Sequence, residues 1–217
     1  MSISENLKTV QAATAPAILV AVSKTWPADY VQEAYDAGQR IFGENKVQEI
    51  LEKAPVLPQD IEWHLIGHLQ KNKIRKVLPH CAMIHSVDSL ALAGQISRIA
   101  GELQLVSSIL LQVNISDDDA KFGFTPEQLR EAFDEMKALP HLQIDGLMTV
   151  PKFDPDPEQV RPAFAALREL RDELASRFAQ DLPHLSMGMS HDSKVAVEEG
   201  ATLVRVGSAI FGQRDYR

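Results

Sequence analysis

Short apolar, β-branched runs alternate with longer amphipathic stretches along the whole chain, and this alternation constrains the fold more than any other feature. Strands are expected near 18–22, 40–42, 62–66, 83–87, 108–113, 144–148, 184–187 and 203–206. Between them, helical patterns fall at 28–37, 45–53, 69–77, 89–102, 126–139, 158–179 and 192–199. Pro126 and Pro162 stand in first turns, where a missing amide donor matters little. Gly38, Gly101 and Gly200 stand where left-handed caps would end helices. Strands that each lead into a helix need parallel neighbours and crossovers, and eight such units close naturally as an α/β (β/α)8 TIM barrel. A doubly wound open sheet is the main alternative. It would normally carry a glycine-rich first turn, and here the first strand runs into Ser23-Lys24-Thr25-Trp26.

No composition break or long linker divides the 217 residues, so 1–217 reads as a single domain. A net charge of −8 argues against a nucleic-acid partner, which would require a basic face. Cys81 is the one cysteine, so no internal disulfide forms; the expected environment is reducing and the expected thiol buried and inert. The residues from Met1 to Gln11 show no secretory pattern, and no run approaches the ~20 apolar residues of a membrane span. Cytoplasmic residence is the expectation.

In a barrel, the loops that follow the strands gather at one mouth. That turns scattered polar residues into a ring: Ser23-Lys24, Gly43-Glu44-Asn45, Gly67-His68, Ser86 and Asp88, Asn114, Thr149 to Lys152, Ser190-His191 and Gly207-Ser208. A lysine held against apolar layers favours its uncharged form, which condenses with an aldehyde. After the last two strands, Gly188 and Gly207 let backbone approach an anion, while Ser190 and Ser208 add hydroxyl donors. Ser190 also stands where it would cap a helix whose dipole favours the anion. An amine facing two anion cradles suits an aldehyde that carries a phosphate, and pyridoxal 5′-phosphate (PLP) is the candidate.

Other positions keep two readings. Arg205 shares a strand face with Gly207 and either reaches a ring nitrogen at the mouth or turns outward to a helix carboxylate such as Glu198. Asn45 either caps a helix or hydrogen-bonds a phenolic oxygen; Glu44 is either a general base or a first-turn acid. Met148, Met187 and Met189 are expected near the mouth as soft neighbours of a flat ring. His64 and His68 are four apart, but Gly67 between them breaks the helical geometry of a zinc pair, so no metal is expected. The basic run from Gln70 to Lys76 reads as a solvated face or a docking surface for an acidic partner.

Through these residues the chain resembles the pyridoxal phosphate homeostasis proteins, which share a fold with the N-terminal barrel domain of alanine racemase. The resemblance runs through Val22-Ser23-Lys24-Thr25, Phe42-Gly43-Glu44-Asn45, His64-Leu65-Ile66-Gly67-His68-Leu69-Gln70, Ser186-Met187-Gly188-Met189-Ser190 and Arg205-Val206-Gly207-Ser208. It implies PLP held as a Schiff base on Lys24, with Ser190, Gly207 and Ser208 around the phosphate and Met189 also among the cofactor-binding residues. It further implies Arg205 beside the pyridine nitrogen and Asn45 near the phenolic oxygen. His191 departs from relatives that often carry an acid there, and the short amino terminus implies an abbreviated first helix. The implied function is vitamin B6 and amino-acid homeostasis, a carrier that passes PLP to apoenzymes rather than an enzyme. The alternative is a PLP-dependent racemase, which needs acid–base groups on both faces of its substrate. Racemases draw the second group from a partner subunit's added β-domain. The chain ends at Arg217 and its tyrosines are Tyr30, Tyr35 and Tyr216, so a monomeric non-enzyme is expected. A lysine aldolase without PLP would leave Arg205 unexplained.

Overall fold

The computed structural model describes residues 2–115 and 122–213; Tyr216 lies outside them. Eight strands form a closed barrel: β1 (Ile18–Val22), β2 (Ile41–Glu44), β3 (Glu62–Leu65), β4 (Met83–Val87), β5 (Ser107–Gln112), β6 (Leu142–Met148), β7 (His184–Met189) and β8 (Leu203–Val206). They pair in parallel in sequence order, and β8 closes on β1 with Val20 opposite Arg205 and Ala21 opposite Val206. Around them run α1 (Ile3–Thr14), α2 (Ala28–Asp36), α3 (Val47–Lys53), α4 (Ile74–Val77), α5 (Leu90–Glu102), α6 (Pro126–Lys137), α7 (Arg161–Phe178), α8 (Ser193–Glu198) and α9 (Ser208–Phe211). The chain is a (β/α)8 barrel.

The period-two alternation of the strands splits the core in two. Leu19, Ala21, Phe42, Val204 and Val206 pack outward against helix residues such as Leu7, Val31 and Ile50. Val20, Leu110, Met148 and Leu203 fill the barrel interior with Ile41 and Met83. Each fully buried Leu or Phe contributes roughly 1.5–3 kcal/mol, so the outer layer carries most of the stability.

Several boundaries differ from the sequence reading. Strand β2 extends to Glu44, so that residue ends a strand instead of opening a helix. The 69–77 pattern is α-helical only over Ile74–Val77, preceded by a 3-10 turn over Lys71–Lys73 and followed by another over Leu78–His80. In its basic run, Lys71 and Lys76 face solvent and Arg75 pairs with Glu102. Gly38 and Gly200 are left-handed, but Gly101 lies inside α5, where a Cβ would meet the His141 ring at 2.8 Å. Helix α1 is not abbreviated: Ser2 caps it, Glu5 closes a capping box, and Ile3, Leu7 and Val10 are buried at helical spacing.

Candidate functional site

The C-terminal ends of all eight strands open at one mouth, so the residues after β1, β7 and β8 share it. Ser23 leaves β1 on the helix side, where its hydroxyl donates to Glu44 Oε1 at 2.7 Å. That leaves half-buried Lys24, the next residue, on the barrel side by the same alternation. Thr25 follows with φ +68°, a strained value for a β-branched residue. Its amide donates to Glu49 Oε2 at 2.5 Å. Lys53 on α3 completes the arrangement, donating to the Ser23 carbonyl (2.9 Å), Glu44 Oε1 (2.7 Å) and Glu49 Oε2 (3.1 Å). Glu44 is fully buried, and among the described residues its Oε2 has no hydrogen-bond partner. Burial pushes its carboxyl up to about 7, against the opposite pull of Lys53 and Ser23.

The two late loops converge beside this turn, because β8 is the hydrogen-bonded neighbour of β1. Between Ser186 and Met189 the β7 ladder gains one residue relative to β8, so Met189 stands beside Arg205. Gly188 sits in this bulge at φ +90°, and a Cβ there would lie 2.5 Å from Ala196 Cβ. A side chain on Gly207 would reach the Val22 carbonyl at 3.0 Å, which ties β8 closely to the strand bearing Lys24. Beyond the strand ends, the exposed hydroxyls of Ser208 and Ser190 meet at 3.2 Å. Ser190 does not cap α8. That helix starts at Ser193, and the Asp192 carboxylate turns back to accept the Met189 amide at 2.6 Å. The Met189 amide is therefore committed, while the two serine hydroxyls stand together at this rim.

Arg205 points into the barrel. It is 4% exposed, donates to Ser186 Oγ at 2.5 Å and to the Thr149 carbonyl at 2.9 Å, and among the described residues forms no salt bridge. The outward alternative fails because Glu198 pairs with Arg161. The line continues from Ser186 to His85 Nδ1 (2.9 Å), and from His85 Nε2 to His64 Nδ1 (2.9 Å). A guanidinium only donates, so Ser186 accepts from it and donates its own O–H to His85 Nδ1; His85 Nε2 then donates to His64. Burial lowers His64 to about 4 and His85 well below the usual range, so both rings are neutral at physiological pH. Burial also lowers Arg205 to about 10, and it remains a cation. His85 and Arg205 lie two residues beyond Met83 and Leu203, so this polar line forms the layer above the apolar interior. Sequence reading missed it, since His85 and Ser186 are 101 residues apart.

The remaining expected residues divide. Asn45 is half-buried at the mouth and is not a cap, since that position belongs to Lys46. Gly67 presses so close to it that a Cβ would lie 2.3 Å from the Asn45 carbonyl. Met148 fills the interior layer, but Met187 faces the helices in the outer core, away from the mouth. His64 faces His85 while His68 pairs with Asp88 at 3.3 Å, so the two are apart. Among the described residues no three His, Cys, Asp or Glu side chains gather as a metal would need. His191 donates from Nε2 to the Pro155 carbonyl at 2.9 Å, and its ring packs on Phe153. Away from the mouth, burial pushes the Cys81 thiol up to about 12.

Residues 1–215 match the family described as alanine racemase, N-terminal domain. The pyridoxal phosphate homeostasis protein of Aquifex aeolicus is 46% identical over 199 residues, 91% of this chain and 87% of the relative. The chain belongs to this family, among its pyridoxal phosphate homeostasis proteins. The human protein of that name is 44% identical over 212 residues, covering 91% of this chain and 77% of the relative. Among solved structures, PipY of Synechococcus elongatus PCC7942 with PLP bound superposes with a TM-score of 0.90 at 42% identity, over 97% of this chain and all of PipY. Alanine racemase of Clostridium difficile 630 shares the fold alone, at TM-score 0.80 and 14% identity, covering 99% of this chain and 57% of the racemase. Among the described residues no helix is long and apolar enough to cross a membrane.

Proposed function

We propose that this protein binds PLP at the C-terminal mouth of its barrel and serves intracellular PLP and amino-acid homeostasis as a carrier, without catalytic turnover. The observation that carries this reading is the convergence of the Ser190 and Ser208 hydroxyls at 3.2 Å, on the same mouth as Lys24. Gly207 fits a phosphate there because the space beside Val22 excludes a side chain, and the two hydroxyls supply neutral donors. Arg205 fits a pyridine nitrogen because it is a buried cation that donates to a hydroxyl and a carbonyl. A guanidinium disfavours a second positive charge beside it, so the ring nitrogen stays unprotonated and is held as an acceptor. That weakens any electron sink and supports a holding role over racemisation.

PLP supplies an aldehyde, whose carbon an uncharged amine joins as the oxygen departs with two amine protons as water. Lys24 is the amine in this reading, Asn45 holds the phenolic oxygen, and Met189 lines the ring's edge beside Arg205. The relatives' shared name supports homeostasis over catalysis. The site lies within one PLP-binding domain spanning 1–217, in a cytoplasmic monomer that yields PLP to PLP-dependent apoenzymes. Titrating the apoprotein with PLP and reducing with borohydride tests this: the label is expected on the peptide holding Lys24, and Lys24→Ala is expected to stay unlabelled. Equal labelling of Lys24→Ala would overturn the assignment.

A further inference from the structure

We infer that Lys53, acting with Glu44 and Glu49, is the positioning device for Lys24, fixing the backbone on both sides of that residue so that its amine meets an incoming aldehyde in one orientation. The inference rests on Lys24 being the attachment residue. Three observations carry it. Lys53 is buried on the helix side of the sheet, and its three donors are matched by three acceptors: the Ser23 carbonyl, Glu44 Oε1 and Glu49 Oε2. Two of those partners grip the turn itself. Ser23, just before Lys24, is held at its carbonyl by Lys53 and at its hydroxyl by Glu44. Thr25, just after Lys24, is held at its amide by Glu49. Lastly, Thr25 stands at φ +68°, a conformation a threonine keeps only where its surroundings hold it, and the Glu49 carboxylate accepting its amide is that hold.

The arrangement sits behind β1 and β2, while the phosphate seat is built from the loops after β7 and β8. The two functions are therefore separable: loss of the clamp misplaces the amine without touching the hydroxyls of Ser190 and Ser208. A misplacement of about 1 Å in a reacting group slows a bond-forming step by about 100-fold, so the effect belongs in the rate of covalent capture. The charged groups facing Glu44 are Lys53 and Glu49, with the Ser23 hydroxyl as its other contact. Above neutral pH the fully ionised Glu44 tightens its hold on Lys53, and the capture rate should depend on pH through this pair as well as through Lys24.

The test compares wild type, Lys53→Met and Glu49→Ala in three measurements on the full chain. These are the borohydride-trapped rate of PLP capture, the affinity for pyridoxine 5′-phosphate, and hydrogen exchange at the Thr25 amide. Pyridoxine 5′-phosphate carries the ring and phosphate but no aldehyde. The expected result is capture slowed by about 10- to 100-fold, faster Thr25 exchange and unchanged affinity for the analogue, with partial rescue by Lys53→Arg. If Lys53→Met does not fold, Glu49→Ala alone decides, because it removes only the Thr25 acceptor and one Lys53 partner. Capture at the wild-type rate in a folded variant whose Thr25 exchange has risen would overturn the inference and leave Lys24 standing. An equal loss of analogue affinity would also overturn it, showing general damage to the site. Wild type labelled elsewhere than Lys24 would instead overturn the proposed function.

Discussion

Behind β1 and β2, Lys53 is met by two carboxylates and a carbonyl; inside the barrel, Arg205 is met by a hydroxyl and a carbonyl. Both cations are buried, and they sit on opposite sides of the same sheet. In the first cluster every Lys53 donor is matched, and the cluster serves the backbone around Lys24. The second extends through neutral His85 and His64 and reaches no anion among its hydrogen-bond partners. A buried cation with no direct ion pair among the described residues, drawn only by the charge of Asp192 further off, is costly to keep. Its retention at the mouth makes sense if a ligand supplies what the protein withholds, whereas Lys53 already has its ion pairs within the protein.

The largest effect should come from breaking the matched cluster. Lys53→Met strands Glu44 and Glu49 beside each other and should cost about 3–5 kcal/mol at pH 8, the scale for removing one partner of a buried pair; urea melts of the apoprotein measure it. Arg205→Met, by contrast, removes a cation that has no direct ion pair among the described residues. It should cost the apoprotein only about 1–3 kcal/mol, the penalty for acceptors left unsatisfied, and abolish much of the PLP affinity. A loss for Arg205→Met equal to that for Lys53→Met would erase the distinction drawn here. Ser208→Ala sharpens it further: PLP binding should weaken by about 1–3 kcal/mol, the scale of a charge-assisted hydrogen bond, with the apoprotein's melting unchanged. Equilibrium dialysis and calorimetry report the two halves.

Per pH unit the smallest effect is in pH dependence, where the clusters should act with opposite signs. His64 has its pKa lowered to about 4 on folding. Between its ordinary value near 6.5 and about 4, the unfolded state binds more protons, so acidification removes stability. Glu44 is raised to about 7. Between about 4.5 and 7 the folded state holds the proton, so stability falls as pH rises through that window. Each contributes at most about 1.4 kcal/mol per pH unit. Comparing His64→Asn and Glu44→Gln with wild type across pH 4–8 should remove slopes of opposite sign; slopes of the same sign would contradict the assignment.

The sequence made the barrel legible because every strand and most helices carry their own periodicity, and closure follows from eight repeated units. It also placed Lys24, Asn45, Ser190, Arg205, Gly207 and Ser208 near strand ends, which a barrel gathers at one mouth. What it hid depends on contacts distant in the chain or on competing local bonds. The Ser190 cap failed because Asp192 captured the Met189 amide and pushed the helix start to Ser193. Glu44 read as a helix residue because β2 runs two residues further than its apolar run suggests. Its partnership with Lys53 crosses from strand to helix, where no fixed spacing signals it. Helix α1 was legible after all: the Ser2–Glu5 capping box and the burial-spaced Ile3, Leu7 and Val10 were in the sequence.

A crystal structure of the protein soaked with PLP tests the central claim most directly. The account predicts the phosphate within hydrogen-bond reach of both Ser190 Oγ and Ser208 Oγ, the ring nitrogen against Arg205, and continuous density to Lys24 Nζ. A phosphate seated away from those hydroxyls, with Lys24 unattached, would contradict it.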